Sequence, residues 1–249
     1  MKFYDDFIGD SFADSTHYFV GGDSEEQFIE NSKTQSADWY YRNIDITYKF
    51  NKHGHRCKNI DELDLDNYIL ISGCSHTQGV GLELETTYAY LLSQKLNCDY
   101  YNMAIPASGA DVVQHNILNW YYSIPKKPKL IIIQWPDHSR FVSYNPEYEN
   151  LSQKGTWQDD ETARFIVKCE EYGAFYARKK LITDLLNNVI DVPLIRFNYG
   201  GQVGYDADPI KMRKLDVARD LSHSGIKSHA AVTDMLYQLA CEKLGLLVP

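Results

Sequence analysis

The apolar run Tyr68-Ile69-Leu70-Ile71 ends in Ser72-Gly73-Cys74-Ser75, and Ser75 lies within Gly73-Cys74-Ser75-His76-Thr77-Gln78-Gly79. A serine hydroxyl becomes a nucleophile when a neighbouring imidazole takes its proton. The chain supplies an imidazole near its C-terminal end, in Asp220-Leu221-Ser222-His223. A carboxylate three residues before a histidine can reach the imidazole Nδ1, hold the tautomer and stabilise the imidazolium. Ser75, His223 and Asp220 are therefore the candidate catalytic residues, and acyl transfer through a serine is the chemistry they would perform. The oxyanion formed on the way needs donors: the Ser75 backbone N–H at a strand–helix turn, and others from adjoining loops. Cys74 offers a competing thiol. Neighbouring side chains on a strand point oppositely, however, and Cys74 reads as a small packing residue behind the turn.

The elements that must position these residues alternate regularly from Tyr68 onward. Apolar patterning predicts strands over 68–72, 99–103, 129–134 and 192–197. Helices are expected over 86–96, 110–122, about 160–189 as one long helix, and about 228–244. Such alternation predicts an α/β fold with a parallel sheet and right-handed crossovers. The run Leu130-Ile131-Ile132-Ile133 suits a strand buried on both faces. Ser75 then falls just past the carboxyl end of the first core strand, where open α/β sheets place ligands. Two polar segments, 143–157 with Pro146 and Gly155, and 200–209 with three glycines, are expected to be long loops bordering the site. Residues 1–67 lack the repeating pattern and are expected to form an aromatic-rich N-terminal extension packed on a domain spanning 68–249. Within it, 47–50 reads as a short strand and 51–54 as a turn. His53 and His55 read as loop or surface residues, because no four-ligand zinc set accompanies them.

Composition narrows the function classes. A chain of 249 residues can bury a sizeable core. The net charge of -9 argues against a nucleic-acid partner, whose phosphates require a basic surface. Five cysteines with no CxxC pair are expected to be free thiols in a reducing compartment. The start MKFYDDFIGDSF has no apolar segment and no run approaches 18 apolar residues, so neither a signal peptide nor a membrane span is expected, and a cytoplasmic location follows. The 19 tyrosines include enough for an aromatic groove that holds a sugar or another flat ligand, although packing accounts for many of them.

Three blocks resemble those of the SGNH (GDSL-type) hydrolases. Residues 73–79 resemble the first block, G-x-S-x-T-x-G, with Cys74 in place of the common Asp. Asn102-Met103-Ala104-Ile105-Pro106-Ala107-Ser108-Gly109 resembles the second, which begins with Asn and donates a glycine N–H to the oxyanion. Asp220-Leu221-Ser222-His223-Ser224-Gly225 resembles the last, D-x-x-H-x-G. The similarity covers about 68–245. It implies a three-layer α/β/α sandwich with a flavodoxin-like sheet, and ester hydrolysis without metal or cofactor. Ser75 would be nucleophile, His223 base and Asp220 its orienter. Residues 47–56 also resemble a segment preceding the first block in some SGNH-like proteins, including phage-encoded ones.

The departures bear on the oxyanion hole. Counted from Asn102, the family's second-block glycine falls on Ala107, with Gly109 two residues later, so either N–H could serve. The third block, G-x-N-D, is replaced by Gln134-Trp135-Pro136-Asp137-His138-Ser139-Arg140. Gln134 or His138 could stand in for the missing Asn. Losing one donor costs roughly 10²–10³ in rate. Trp135 could wall the pocket, and Arg140 could bind a substrate carboxylate or sugar oxygen. His76 could touch substrate or cap local backbone.

Three functional readings follow. The first is hydrolysis of a short acyl ester, such as an O-acetylated saccharide, through an acyl-Ser75 intermediate. The second is an SGNH-fold binding or structural module, for instance a virion component that assembles, or forms a homo-oligomer, through residues 1–67. The third is acyl transfer by the same residues in a site that excludes water.

Overall fold

In the computed structural model, which describes residues 1–148, 150–199 and 207–247, the apolar runs become one sheet. Its strands are β1 (Tyr68–Ser72), β2 (Asp99–Asn102), β3 (Ile131–Trp135), β4 (Leu194–Tyr199) and β5 (Lys211–Met212). They are all parallel and run in the order β2-β1-β3-β4-β5. This is the flavodoxin-type order, whose switch point falls between β1 and β3. The register pairs Ile71 with Ile132 and Ser72 with Ile133, so β1 ends opposite Ile133 while β3 continues to Trp135.

Alternation along β1 and β3 sends residues to two separate cores. Tyr68, Leu70, Ile131, Ile133 and Trp135 face helices α2 (Ala110–Ser123) and α4 (Ala174–Val189), meeting Val113, Ile117, Trp120 and Leu186. Ile69, Ile71, Ile132 and Phe197 face α1 (Tyr88–Leu96) and α5 (Ile226–Leu244), meeting Leu92, Val232 and Leu236. The result is a three-layer α/β/α sandwich. Each fully buried aliphatic side chain contributes about 1.5–3 kcal/mol relative to an exposed one, so both faces of the sheet must be covered.

Two segments depart from the sequence expectation. The helix expected over 160–189 is two helices, α3 (Asp160–Glu171) and α4, separated at Gly173 with φ +65°. That left-handed conformation suits glycine and ends α3 after Glu171. The expected loop over 143–157 is largely an antiparallel hairpin, Phe141–Asn145 with Asn150–Lys154. Of the other expected loop, 200–209, residues 200–206 lie outside the described residues.

Residues 1–67 lie against the sheet domain. Lys2–Tyr4 pairs with Phe7–Gly9, and Thr16–His17 pairs with Tyr48–Lys49. Phe7 enters the core beside Trp120, and Ile46, Tyr48 and Phe50 pack with Val80, Leu82 and Ala218. His53 and His55 lie in a loop, but are buried rather than at the surface. His55 Nδ1 meets the Tyr101 hydroxyl and Nε2 the Ile8 carbonyl, each at 3.0 Å. Burial pushes its pKa down to about 4. Arg56, also buried, donates to the carbonyls of Gly79 (2.7 Å), Leu82 (2.8 Å) and Thr47 (3.0 Å). It thereby ties this segment to the turn that follows Ser75. No helix among the described residues is long and apolar enough to cross a membrane, and all five cysteines are free thiols.

Candidate active site

Ser75 opens a four-residue helix, Ser75–Gln78, immediately beyond β1. The Cys74 carbonyl accepts from the Thr77 and Gln78 N–H groups at 2.9 and 3.0 Å, and Gly79 ends the helix at φ +79°. Gly73 is required here because a Cβ would lie 2.2 Å from Thr77 Oγ1. The Ser75 N–H, at the first helical position, belongs to the end that has no intrahelical acceptor.

The second half of the site is the loop before α5. The Ala218 N–H donates to the His223 carbonyl at 3.0 Å, folding residues 218–223 into a tight turn. His223 Nε2 lies 2.8 Å from Ser75 Oγ. His223 Nδ1 donates to Asp220 Oδ2, which leaves Nε2 as acceptor for the serine proton. Asp220 Oδ1 accepts from the N–H groups of Ser222 (3.0 Å) and His223 (2.9 Å). Burial acts to raise the Asp220 pKa, but the hydrogen bonds and charge from His223 outweigh it, and the carboxyl is held below its usual range. The three residues named from the sequence thus form one hydrogen-bonded chain.

Ser75 and His223 line a cavity of about 710 Å³. The sheet domain contributes Pro106, Ala107, Arg140, Gln153, Trp157 and Ser222 to its wall. The N-terminal segment contributes Asp10, Ser11, Phe12, Val20, Gly21 and Gly22. Sequence reasoning missed the second group, for which the Gly21-Gly22 doublet was the one available mark. Gln153 and Trp157 lie in the segment 143–157 that was expected to border the site, although neither was singled out by itself. A separate cavity of about 470 Å³, bordered by Asp14, Lys49 and Asn59, holds none of the triad.

The oxyanion and binding candidates divide. Ala107 lines the cavity at φ +58°, a left-handed conformation that favours glycine, which accounts for a glycine pattern counting onto it. Gly109 does not line the cavity. It caps α2 with extended backbone, and its Cβ would sit 2.6 Å from the Arg140 carbonyl. Gln134 is corrected as a donor: it is buried beside β1, where its Oε1 accepts from Thr77 Oγ1 at 2.5 Å and its Nε2 meets Met212 Sδ at 3.6 Å. The buried Thr77 hydroxyl needs an acceptor, and Gln134 supplies it. Trp135 is corrected as a pocket wall, because strand alternation sends it into the α2–α4 core with Lys179 over its ring at 5.5 Å. His138 is likewise not at the cavity. It stacks on Tyr176 at 4.6 Å and meets Glu170 at 3.2 Å. Arg140 does reach the cavity.

His76 packs behind the triad. It stacks on Tyr199 at 4.0 Å, meets His223 edge-on at 4.9 Å and accepts the Ser224 N–H at 3.4 Å. Burial, reinforced by His223, pushes its pKa to about 2, so it stays neutral. Among the described residues no group of three or more His, Cys, Asp or Glu side chains is arranged to hold a metal ion.

No family model and no curated protein matches the chain. Solved structures do. A carbohydrate esterase family 2 enzyme with a carbohydrate-binding domain, from Corynascus thermopiles (Myceliophthora fergusii), is 17% identical over 72% of this chain and 67% of its own, with a TM-score of 0.48. The acetyl xylan esterase Est2A of Butyrivibrio proteoclasticus is 16% identical over 76% and 66%, with a TM-score of 0.43. The psychrotrophic esterase EstA from a Pseudoalteromonas species is 14% identical over 72% and 100%, with a TM-score of 0.38. The chain spans about two thirds of the length of the two carbohydrate esterases. At these identities and scores the likeness assigns no residue, substrate or activity to this chain.

Proposed function

We propose that this protein is a serine ester hydrolase of SGNH type, cleaving a short acyl ester through an acyl-Ser75 intermediate. The observation that carries the reading is the unbroken chain Ser75 Oγ–His223 Nε2–Nδ1–Asp220 at the wall of an open cavity. Ser75 Oγ attacks the ester carbonyl while His223 takes its proton, and Asp220 stabilises the imidazolium. His223 then protonates the departing alkoxide. Water, deprotonated by the same imidazole, releases the acid and frees Ser75. The N–H of Ser75 faces the developing oxyanion, and the N–H of Ala107 is the second-block donor by position. Each donor of this kind is worth about 2.7–4 kcal/mol of barrier. Gln134 does not take the place of the third-block Asn, since it is committed to Thr77. A slower esterase than a fully equipped one is therefore expected.

A fluorophosphonate probe tests the reading. Labelling of the native chain that is lost in Ser75→Ala and in His223→Ala supports an activated serine. Absence of labelling in folded protein would refute hydrolysis and favour the binding-module reading.

A further inference from the structure

Ala107 holds a backbone conformation that its side chain resists. It is the third residue of the turn 105–108, which the Ser108 N–H closes by donating to the Ile105 carbonyl at 3.2 Å. Pro106 stands second and Ala107 third at φ +58°, the arrangement of a type II turn, whose third place ordinarily takes glycine. The type I form of the same turn differs by a flip of its central peptide, the one between Pro106 and Ala107, and would return Ala107 to a negative φ. A left-handed residue with a Cβ persists where its surroundings fix it. The ends of this turn are fixed from the loop before Ser75. There the Gly73 carbonyl accepts from the Ile105 N–H at 3.4 Å and from the Ser108 hydroxyl at 3.0 Å. Neither bond touches the central peptide.

The Gln153 side chain does touch it, its Nε2 donating to the Pro106 carbonyl at 2.5 Å. The Pro106–Ala107 bond is trans. This carbonyl and the Ala107 N–H therefore share one plane and point in opposite directions, so holding the first aims the second. A flip would carry the carbonyl away from Gln153 and reverse the N–H. The donor is itself held. Gln153 lies on the strand Asn150–Lys154, paired with Val142, and its carbonyl accepts from the Gln158 amide at 2.7 Å. Leu151, two residues earlier and so on the same face of the strand, packs in one cluster with Ile105, the first residue of the turn.

We infer that Gln153 is a positioning residue of the oxyanion hole, selecting the form of the turn in which the Ala107 N–H serves the oxyanion. The inference rests on the esterase reading and deepens it.

A fluorophosphonate presents its phosphoryl oxygen to the oxyanion donors, so its labelling rate reads them directly. Gln153→Met removes the amide and keeps the length of the side chain. Labelling should slow about 10- to 100-fold, approaching what the loss of a donor costs. Ala107→Gly removes the Cβ that resists the type II turn, and the turn then needs no help from Gln153. Adding Gln153→Met to Ala107→Gly should slow labelling by less than about threefold relative to Ala107→Gly alone. Contact with substrate, or packing of the hairpin, would instead give the same loss in both backgrounds, because neither depends on the preference of the turn. Equal losses in the two backgrounds, or parental labelling of Gln153→Met, would overturn the inference and leave the esterase reading intact. Should Gln153→Met fail to fold, Gln153→Glu, with the same outline and no donor at neutral pH, carries the comparison. Absence of labelling in the folded native chain would sink the esterase reading and the inference with it.

Discussion

Asp23 and Arg219 form a buried ion pair, with Arg219 Nη2 2.8 Å from Asp23 Oδ2 and Nε 3.0 Å from Oδ1. The contact joins two parts of the site that are distant in sequence. Asp23 follows the cavity-lining Gly21-Gly22, and Arg219 precedes Asp220, the carboxylate bonded to His223. Phe19 and Phe28 cover the guanidinium, and the Tyr48 hydroxyl donates to Asp23. Around the pair, the Gln27 and Asn31 side-chain amides donate to the Asp220 and Arg219 carbonyls at 2.9 and 3.1 Å. Residues 19–31 thus hold the triad loop in place from outside the sheet domain.

Breaking this pair should be expensive. Asp23→Ala leaves a desolvated guanidinium with no counter-charge, and a loss of about 3–5 kcal/mol is expected in urea unfolding. Asp23→Leu/Arg219→Met removes both charges and should recover most of that loss, because the pocket is walled by aromatic rings. A double variant no more stable than Asp23→Ala would show that the pair acts through packing rather than charge.

The triad variants should separate chemistry from folding. Ser75→Ala and His223→Ala should each lower kcat by roughly 10⁴–10⁶ on any ester the protein cleaves. Asp220→Asn should cost about 10³–10⁴. An amide in that place can still accept from the Ser222 and His223 N–H groups through its oxygen. Its NH₂ would then face His223 Nδ1 and force the proton onto Nε2, the wrong tautomer for a base. Thermal melts within a few degrees of the parent, alongside these rate losses, are the expected result.

Much of this site was readable before any coordinates, and the unread remainder has a physical cause. Ser75, Asp220 and His223 sit in short local patterns whose meaning depends on backbone turns, so spacing conveys them. β1 and β3 are buried on both faces, so their apolar runs announce them. The hairpin of Phe141–Asn145 and Asn150–Lys154 is half-buried and polar, with Leu151 its one buried apolar side chain, and it reads as loop for that reason. Gln134 was misplaced because its role depends on which neighbour claims its amide. Thr77, 57 residues away, claims it. The cavity wall formed by residues 10–22 is set by a long-range ion pair that no local pattern encodes.

Stability should fall as the solution is acidified from neutrality. Burial holds the folded-state pKa of His55 at about 4 and of His229 at about 3. An unfolded histidine titrates near 6.5. Below that pH the unfolded chain binds protons that the folded chain refuses, so stability is full above about pH 6.5 and is lost as pH falls toward 4. Each such histidine contributes a slope of up to about 1.4 kcal/mol per pH unit. Asp220, held below its usual range, adds to the loss in the same direction at still lower pH. Urea unfolding at pH 7, 6 and 5 measures the slope. His229→Gln can keep an acceptor for the Tyr88 N–H, which now bonds His229 Nδ1 at 3.0 Å, and should reduce the slope by about one proton. An unchanged slope would mean that His229 is not refusing a proton.

Ala107 allows the oxyanion loop to be tested by backbone strain. At φ +58° a Cβ is strained by about 1–2 kcal/mol, whereas glycine gives up only about 0.5–1 kcal/mol of unfolded-chain entropy. Ala107→Gly should therefore be neutral to about 1 kcal/mol stabilising. Ala107→Val adds a branched side chain in the same conformation and should cost more than about 1 kcal/mol. The functional consequence follows from place: Ala107 shares the cavity with Ser75, so its N–H can serve the oxyanion only while the left-handed turn persists. Ala107→Gly should keep fluorophosphonate labelling near the parental rate, and Ala107→Val should slow it by about tenfold or more, in keeping with a displaced oxyanion donor. Equal labelling rates for the two variants, with Ala107→Val well folded, would remove Ala107 from the oxyanion hole and leave the Ser75 N–H as the donor that the geometry supports.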